Sequence, residues 1–176
     1  GDVQWMTAGS GILHEEYHSK EFAKSGGTFD MVQLWVNLPA KDKMTKPDYQ
    51  HITRDMIPVI ELADNAGSMR VIAGEYDGQK GPAKTFTPLD VWDYQLNAGS
   101  QVTIPLKENR NAGIIVLHGE VNLENGSKLQ EAELAIYDKA GDSITITAEK
   151  ESTILLLSGD AIDEPIFGHG PFVMNT

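Results

Sequence analysis

The six residues VWDYQL (91–96) alternate strictly, with Trp92, Tyr94 and Leu96 on one side and Asp93 and Gln95 on the other. Side chains that reverse face at every residue fit a pleated strand with one side on a core. Other runs of similar length have strand character. They are MVQLWVNL (31–38), SMRVIAGEY (68–76), AGIIVLHGEVNL (112–123), DSITIT (142–147) and STILLLSG (152–159). A helical period is hard to find anywhere. The separators EYDGQKGP, NAGS, LENGS and DKAGD carry the glycine, asparagine and aspartate that tight turns demand. An all-β fold follows. The segment 39–58 is polar and holds Pro39, Pro47 and Pro58, so it reads as an extended connector with at most a short helical turn.

A self-comparison suggests duplication. GDVQWMTA (1–8) and GDSITITA (141–148) share G-D at the start and T-A at the close, and an apolar strand follows each. About forty residues of strand and turn precede the second copy, and none precede the first. The first lobe is therefore expected to lack its front half.

Composition narrows the function classes. A net charge of −12 repels phosphate, which argues against direct binding to nucleic acid or to an anionic membrane. With no cysteine, disulfides and thiolate metal sites are excluded, and a cytoplasmic address fits. No apolar run approaches ~20 residues, and the first residues carry no signal-peptide pattern.

The stretch His14 to His18, HEEYH, matches the H-E-x-x-H pattern of zinc proteases. That chemistry needs both histidines one turn apart on a helix of several turns. Gly9 and Gly11 lie just upstream and Gly26 and Gly27 follow, leaving little room for one. On a strand the same letters put His14, Glu16 and His18 on one face and Glu15 and Tyr17 on the other. A histidine and a carboxylate two residues apart can both reach one cation, at about 2.0–2.2 Å each. Mixed nitrogen and oxygen donors with open positions suit Fe(II) and related metals. A solvated pair beside an acidic cluster has the same spacing, so the residues alone leave all three readings open.

Four stretches resemble the pirin family of the cupins: GDVQWMTAGSGILHEE (1–16), QLWVNLP (33–39), RVIAGEYDGQKGP (70–82) and HGPFVMNT (169–176). The resemblance implies a bicupin, two double-stranded β-helix barrels joined by an extended linker. On that reading residues 1–40 are the remaining part of the metal-binding N-terminal barrel, 41–60 the linker and 61–176 a metal-free C-terminal barrel. It further implies one non-haem iron, Fe(II) or another divalent transition metal, held by an H-x-H pair and by the His and Glu that match His14 and Glu16. The H-x-H pair has no counterpart, since it would lie upstream of Gly1, and the family normally continues beyond the closing MNT. Two ligands of four are expected to hold metal weakly.

The activity implied for bacterial members is quercetin 2,3-dioxygenation, with a flavonol-like small molecule as substrate and Glu16 as both ligand and catalytic base. Eukaryotic members instead resemble iron-dependent transcriptional co-regulators that contact protein partners, which would add a nuclear address. A metal-free bicupin binding module is the third reading. The other histidines are expected to play no ligand role: His18 beside the site or in solvent, His51 exposed, His118 at a strand-to-turn position and His169 in a turn. Trp5, Met6 and Trp35 read as core or pocket-wall residues.

Overall fold

The computed structural model describes residues 1–176 and is dominated by strands. In chain order these are β1 (Val3–Thr7), α1 (Lys20–Ser25), β2 (Asp48–Ile52), β3 (Val59–Glu61), β4 (Gly67–Ala73), β5 (Glu75–Tyr76), β6 (Gln79–Lys80) and β7 (Leu89–Leu96). There follow β8 (Gln101–Pro105), β9 (Asn111–His118), β10 (Glu120–Leu123), β11 (Lys128–Gln130), β12 (Leu134–Tyr137), β13 (Ser143–Ala148), β14 (Ser152–Gly159), β15 (Phe167–His169) and β16 (Phe172–Met174). The chain divides into two compact units. One holds Gly1–Trp5 and Gln50–Asp163, the other Met6–Tyr49 and Glu164–Thr176.

The larger unit contains an antiparallel six-stranded sheet, β12-β9-β14-β7-β4-β3, and a four-stranded sheet, β11-β10-β13-β8. Their inner faces share one core. The alternation in β7 is realised as read, with Trp92, Tyr94 and Leu96 buried among Met69, Val71, Ile114, Ile154 and Leu156. The four-stranded sheet closes the core with Val102, Ile104, Val121, Ile144 and Ile146. The continuous apolar run of β14 is explained by its place between β7 and β9, where Leu155 and Leu156 are both buried. On the outer face of β7, Asp93 stands opposite Arg70 of β4 and accepts hydrogen bonds from that guanidinium, one of them from Nε at 3.0 Å.

The expected turns form: β5–β6 is a hairpin over Asp77 and Gly78, both at positive φ, and NAGS links β7 to β8. The two G-D…T-A copies lie on β1 and β13. Between β9 and β10 the chain leaves one sheet for the other at Gly119, where φ is +93°. A Cβ there would press into Ser152 Oγ and the Glu151 carbonyl oxygen, in a conformation that L residues rarely adopt. Gly119→Ala should destabilise the unit by about 1–3 kcal/mol, read as a lower urea midpoint at unchanged slope. An unchanged midpoint would show that the corner does not need glycine.

In the smaller unit three expectations are corrected. Residues 31–38 form no strand, although their sequence has strand character. A strand exists only through its ladder, and no strand of this chain pairs with 31–38. Trp35 is accordingly 69% exposed rather than core. The connector 39–58, whose residues from Gln50 onward belong to the larger unit, is more ordered than expected, with 3-10 turns at Ala40–Asp42 and Arg54–Met56 and with β2 paired to β1. Local bonds hold this unit. Lys43 is buried and its Nζ donates to Asn37 Oδ1 and the Leu38 carbonyl, both at 2.7 Å, and Ser10 N donates to Thr45 O at 2.9 Å. The Glu164 carboxylate accepts from Ala40 N at 2.6 Å and Asn175 Nδ2 at 3.1 Å.

Candidate metal centre

His14 and Glu16 lie on neither a strand nor a helix. Residues 11–19 have no regular structure, which overturns both the strand reading and the protease-helix reading. The helix that follows, α1, has six residues and starts only at Lys20, capped by Ser19 Oγ accepting from Phe22 N at 3.1 Å. A six-residue helix beginning beyond His18 cannot carry two ligands at i and i+4. The strand fails for the same reason as 31–38, the lack of a neighbour to pair with.

The two-residue spacing still operates locally. His14 Nδ1 is 4.0 Å from Glu16 Oε1, while Tyr17 Oη donates to Glu15 Oε2 at 2.9 Å. Contacts thus run 14 to 16 and 15 to 17, the i, i+2 pairing that the strand reading expects. His18 does not join its neighbours. Its ring sits 5.3 Å from that of Phe22 and 5.0 Å, edge-on, from that of Phe29, so it serves as an aromatic packing element.

Donors bonded at about 2.0–2.2 Å and set at tetrahedral or octahedral angles on one ion stand roughly 2.8–3.6 Å from each other. The 4.0 Å separation must therefore close by a small turn of either side chain before one ion bridges the imidazole and the carboxylate. Both side chains are about half exposed, at 45% and 52%, which leaves them free to turn toward a shared ion. The donor types fit a divalent transition metal. The set is incomplete within the chain, because no three His, Asp or Glu side chains converge anywhere in it.

The remaining histidines lie apart. His51 is exposed on β2, and His118 ends β9 with Nδ1 3.6 Å from Glu131 Oε2. His169 ends β15 of the β15–β16 hairpin. Trp5 is half-buried and donates from Nε1 to the Lys84 carbonyl at 2.8 Å, whereas Met6 is 36% exposed, so neither is a core residue. No helix is long and apolar enough to cross a membrane.

The two antiparallel sheets of the larger unit, sharing one apolar core, are those of a cupin barrel, and the protein is of the cupin class. The family profile described as Pirin matches residues 1–36, and the profile described as Pirin C-terminal cupin domain matches 91–176. The chain belongs to the pirin family. A Pseudomonas aeruginosa protein, provisionally named a quercetin 2,3-dioxygenase, is 49% identical over all of this chain and 61% of its own length. The crystal structure of a quercetin 2,3-dioxygenase from Acinetobacter baumannii is also 49% identical, with a TM-score of 0.96 over all of this chain and 61% of that one. A bacterial pirin from Escherichia coli in complex with nickel(II) is 20% identical, with a TM-score of 0.50 over 70% of this chain and 48% of its own, a likeness of fold alone. The chain thus spans about three-fifths of the length of the first two proteins, 61% in each case.

Proposed function

We propose that His14 and Glu16 are two ligands of a divalent transition-metal centre, Fe(II) in the leading reading, in a quercetin 2,3-dioxygenase-type oxidoreductase. The observation that carries this reading is the 4.0 Å approach of His14 Nδ1 to Glu16 Oε1 on the G-I-L-H-E-E stretch. On this reading 1–40 belong to the metal-bearing barrel, and the other donors come from outside the 176 residues. When bound, the metal acidifies a coordinated hydroxyl and provides redox chemistry toward oxygen.

The chain's own residues do the rest. His14 contributes a neutral imidazole nitrogen. Glu16 has two carboxylate oxygens, so one can ligate while the other takes the proton of a flavonol hydroxyl. The apolar side chains near this stretch suit a flat aromatic substrate, since Ile12, Leu13, Phe29 and Met31 are all exposed in this chain. The test is oxygen uptake and quercetin loss by iron-loaded protein of the relatives' full length. Turnover that disappears with chelator and returns with Fe(II) is the expected result. A metal-replete protein inert toward quercetin would refute the enzymatic reading and favour an iron-dependent co-regulator acting through a protein partner.

The 176 residues alone make a separate prediction. Two half-exposed donors on irregular backbone should hold Fe(II) or Ni(II) weakly, because affinity follows ligand number and a supported site. Dialysis against buffer should strip the ion, as read by elemental analysis. One ion retained per chain would mean that this chain, or a second copy of it, completes the set.

A further inference from the structure

Three of the four open sheet edges in the larger unit are blunted. β3 is three residues long and follows Pro58, β8 ends in Pro105, and β11 presents Lys128 and Gln130, both bonded to Glu120. Short strands, prolines and charge are the ordinary means of keeping an edge from pairing with another chain. The strand β12, LAIY, is four residues long, but it holds no proline and no charged residue, and its bulge lies before its first residue. It closes one side of the six-stranded sheet, and no strand of this chain lies beyond it. Leu134 and Ile136 point away from the core and are exposed, Ile136 to 81%, while Ala135 and Tyr137 pack inward.

The ladder fixes which backbone groups face the open side. Ala132, at φ +66°, donates to the Val116 carbonyl, and Val116 N donates to Glu133 O at 3.0 Å, which makes a bulge just before the strand. Glu133 is thus bonded to β9, and the alternation of an antiparallel ladder makes Ala135 and Tyr137 the next residues to bond there. The N–H and C=O groups of Leu134, Ile136 and Asp138 are left facing outward.

We propose that β12 pairs antiparallel with β12 of a second copy about a two-fold axis at Ile136, joining two six-stranded sheets. The outward groups occur at even positions only, which limits the pairing to registers that oppose even residues; the proposed one sets Ile136 opposite Ile136 of the second copy and Leu134 opposite Asp138. The same register sets Glu133 opposite Lys139 of the second copy, twice by symmetry. Glu133 spends one oxygen, Oε2, on Gln130 N, leaving Oε1 for that lysine. Outward-facing Leu134 and Ile136 of both copies then cover each other, next to Ile115, which lies opposite Leu134 on β9. An isologous contact of this kind closes at two copies. It is independent of the metal centre.

The absence of native cysteine makes the register testable. In a hydrogen-bonded antiparallel pair opposed Cα atoms are about 5.5 Å apart, within disulfide reach. Ile136→Cys should therefore be captured largely as a covalent dimer under mild oxidation. Leu134→Cys should remain monomeric, because its counterpart lies four residues away along the paired strand. Efficient cross-linking of Leu134→Cys, or of neither variant, overturns the register. Sedimentation of the unmodified chain should show a reversible monomer–dimer equilibrium. Ile136→Lys, at a solvent-facing position that folding does not require, should weaken that equilibrium at least tenfold with an unchanged circular dichroism spectrum. A monomer at every concentration, or growth beyond two copies, overturns the proposal itself.

Discussion

Arg110→Met should destabilise the larger unit by about 3–5 kcal/mol at neutral pH, the expected cost of removing one partner from a buried ion pair. Arg110 stands immediately before β9, with its side chain only 5% exposed. Its Nη1 donates to Asp90 Oδ2 of β7, and its Nε to Asp160 Oδ1 just after β14, both at 2.6 Å. One guanidinium therefore ties together the ends of the three central strands. Burial raises the Asp90 carboxyl above its usual value of 3.8, and the Arg110 charge is the largest influence opposing that rise. A carboxyl raised in the folded state stabilises folding below its unfolded pKa and loses that contribution as pH climbs through the folded one. Without Arg110 the Asp90 value rises further, so the difference between variant and parent should be small near about pH 4 and widen toward neutrality. Asp160 is 49% exposed and hydrated, so Asp160→Asn should cost no more than about 1 kcal/mol. Urea denaturation of the three proteins across this pH range decides the matter. Equal losses in Arg110→Met at both ends of the range would mean that packing, rather than charge, dominates.

The sequence makes the larger unit legible because its signal is periodic. β14 begins and ends where STILLLSG does, and β7 ends with VWDYQL and starts two residues before it, since each is flanked by strands of the same chain and its pattern meets a partner. The smaller unit was misread for the converse reason. MVQLWVNL and the stretch around His14 have strand letters, but hydrogen bonding to a neighbour makes a strand, and composition cannot report whether a neighbour exists. The cluster of Arg110, Asp90 and Asp160 is not legible in the sequence, because the two aspartates lie 20 and 50 residues from Arg110 and isolated charges give no periodic signal. The spacing of His14 and Glu16 survived even though the strand did not. Neighbouring side chains two residues apart can meet without a ladder to hold them.

That surviving pair carries the second large effect. In iron-loaded protein of the relatives' full length, Glu16→Gln should lower kcat for quercetin by roughly 10²–10⁴-fold, the usual range for removal of a positioned general base. Glutamine keeps a carbonyl oxygen for the metal and the shape of the side chain, but it cannot accept the flavonol proton at neutral pH. On the proposed reading His14→Ala removes a ligand outright, so its loss of activity should track loss of iron, whereas Glu16→Gln should keep most of its iron and still turn over slowly. The two variants thus separate holding the metal from moving the proton. Raising the pH supplies a further discriminant, because a flavonol that ionises in solution no longer needs a base. Activity of Glu16→Gln should then recover toward that of the parent as the pH passes the substrate's own pKa, while His14→Ala should not recover. Iron content by elemental analysis, measured beside oxygen uptake at each pH, reads both effects. If Glu16→Gln holds its iron and turns over at the parent rate at neutral pH, Glu16 is not the base.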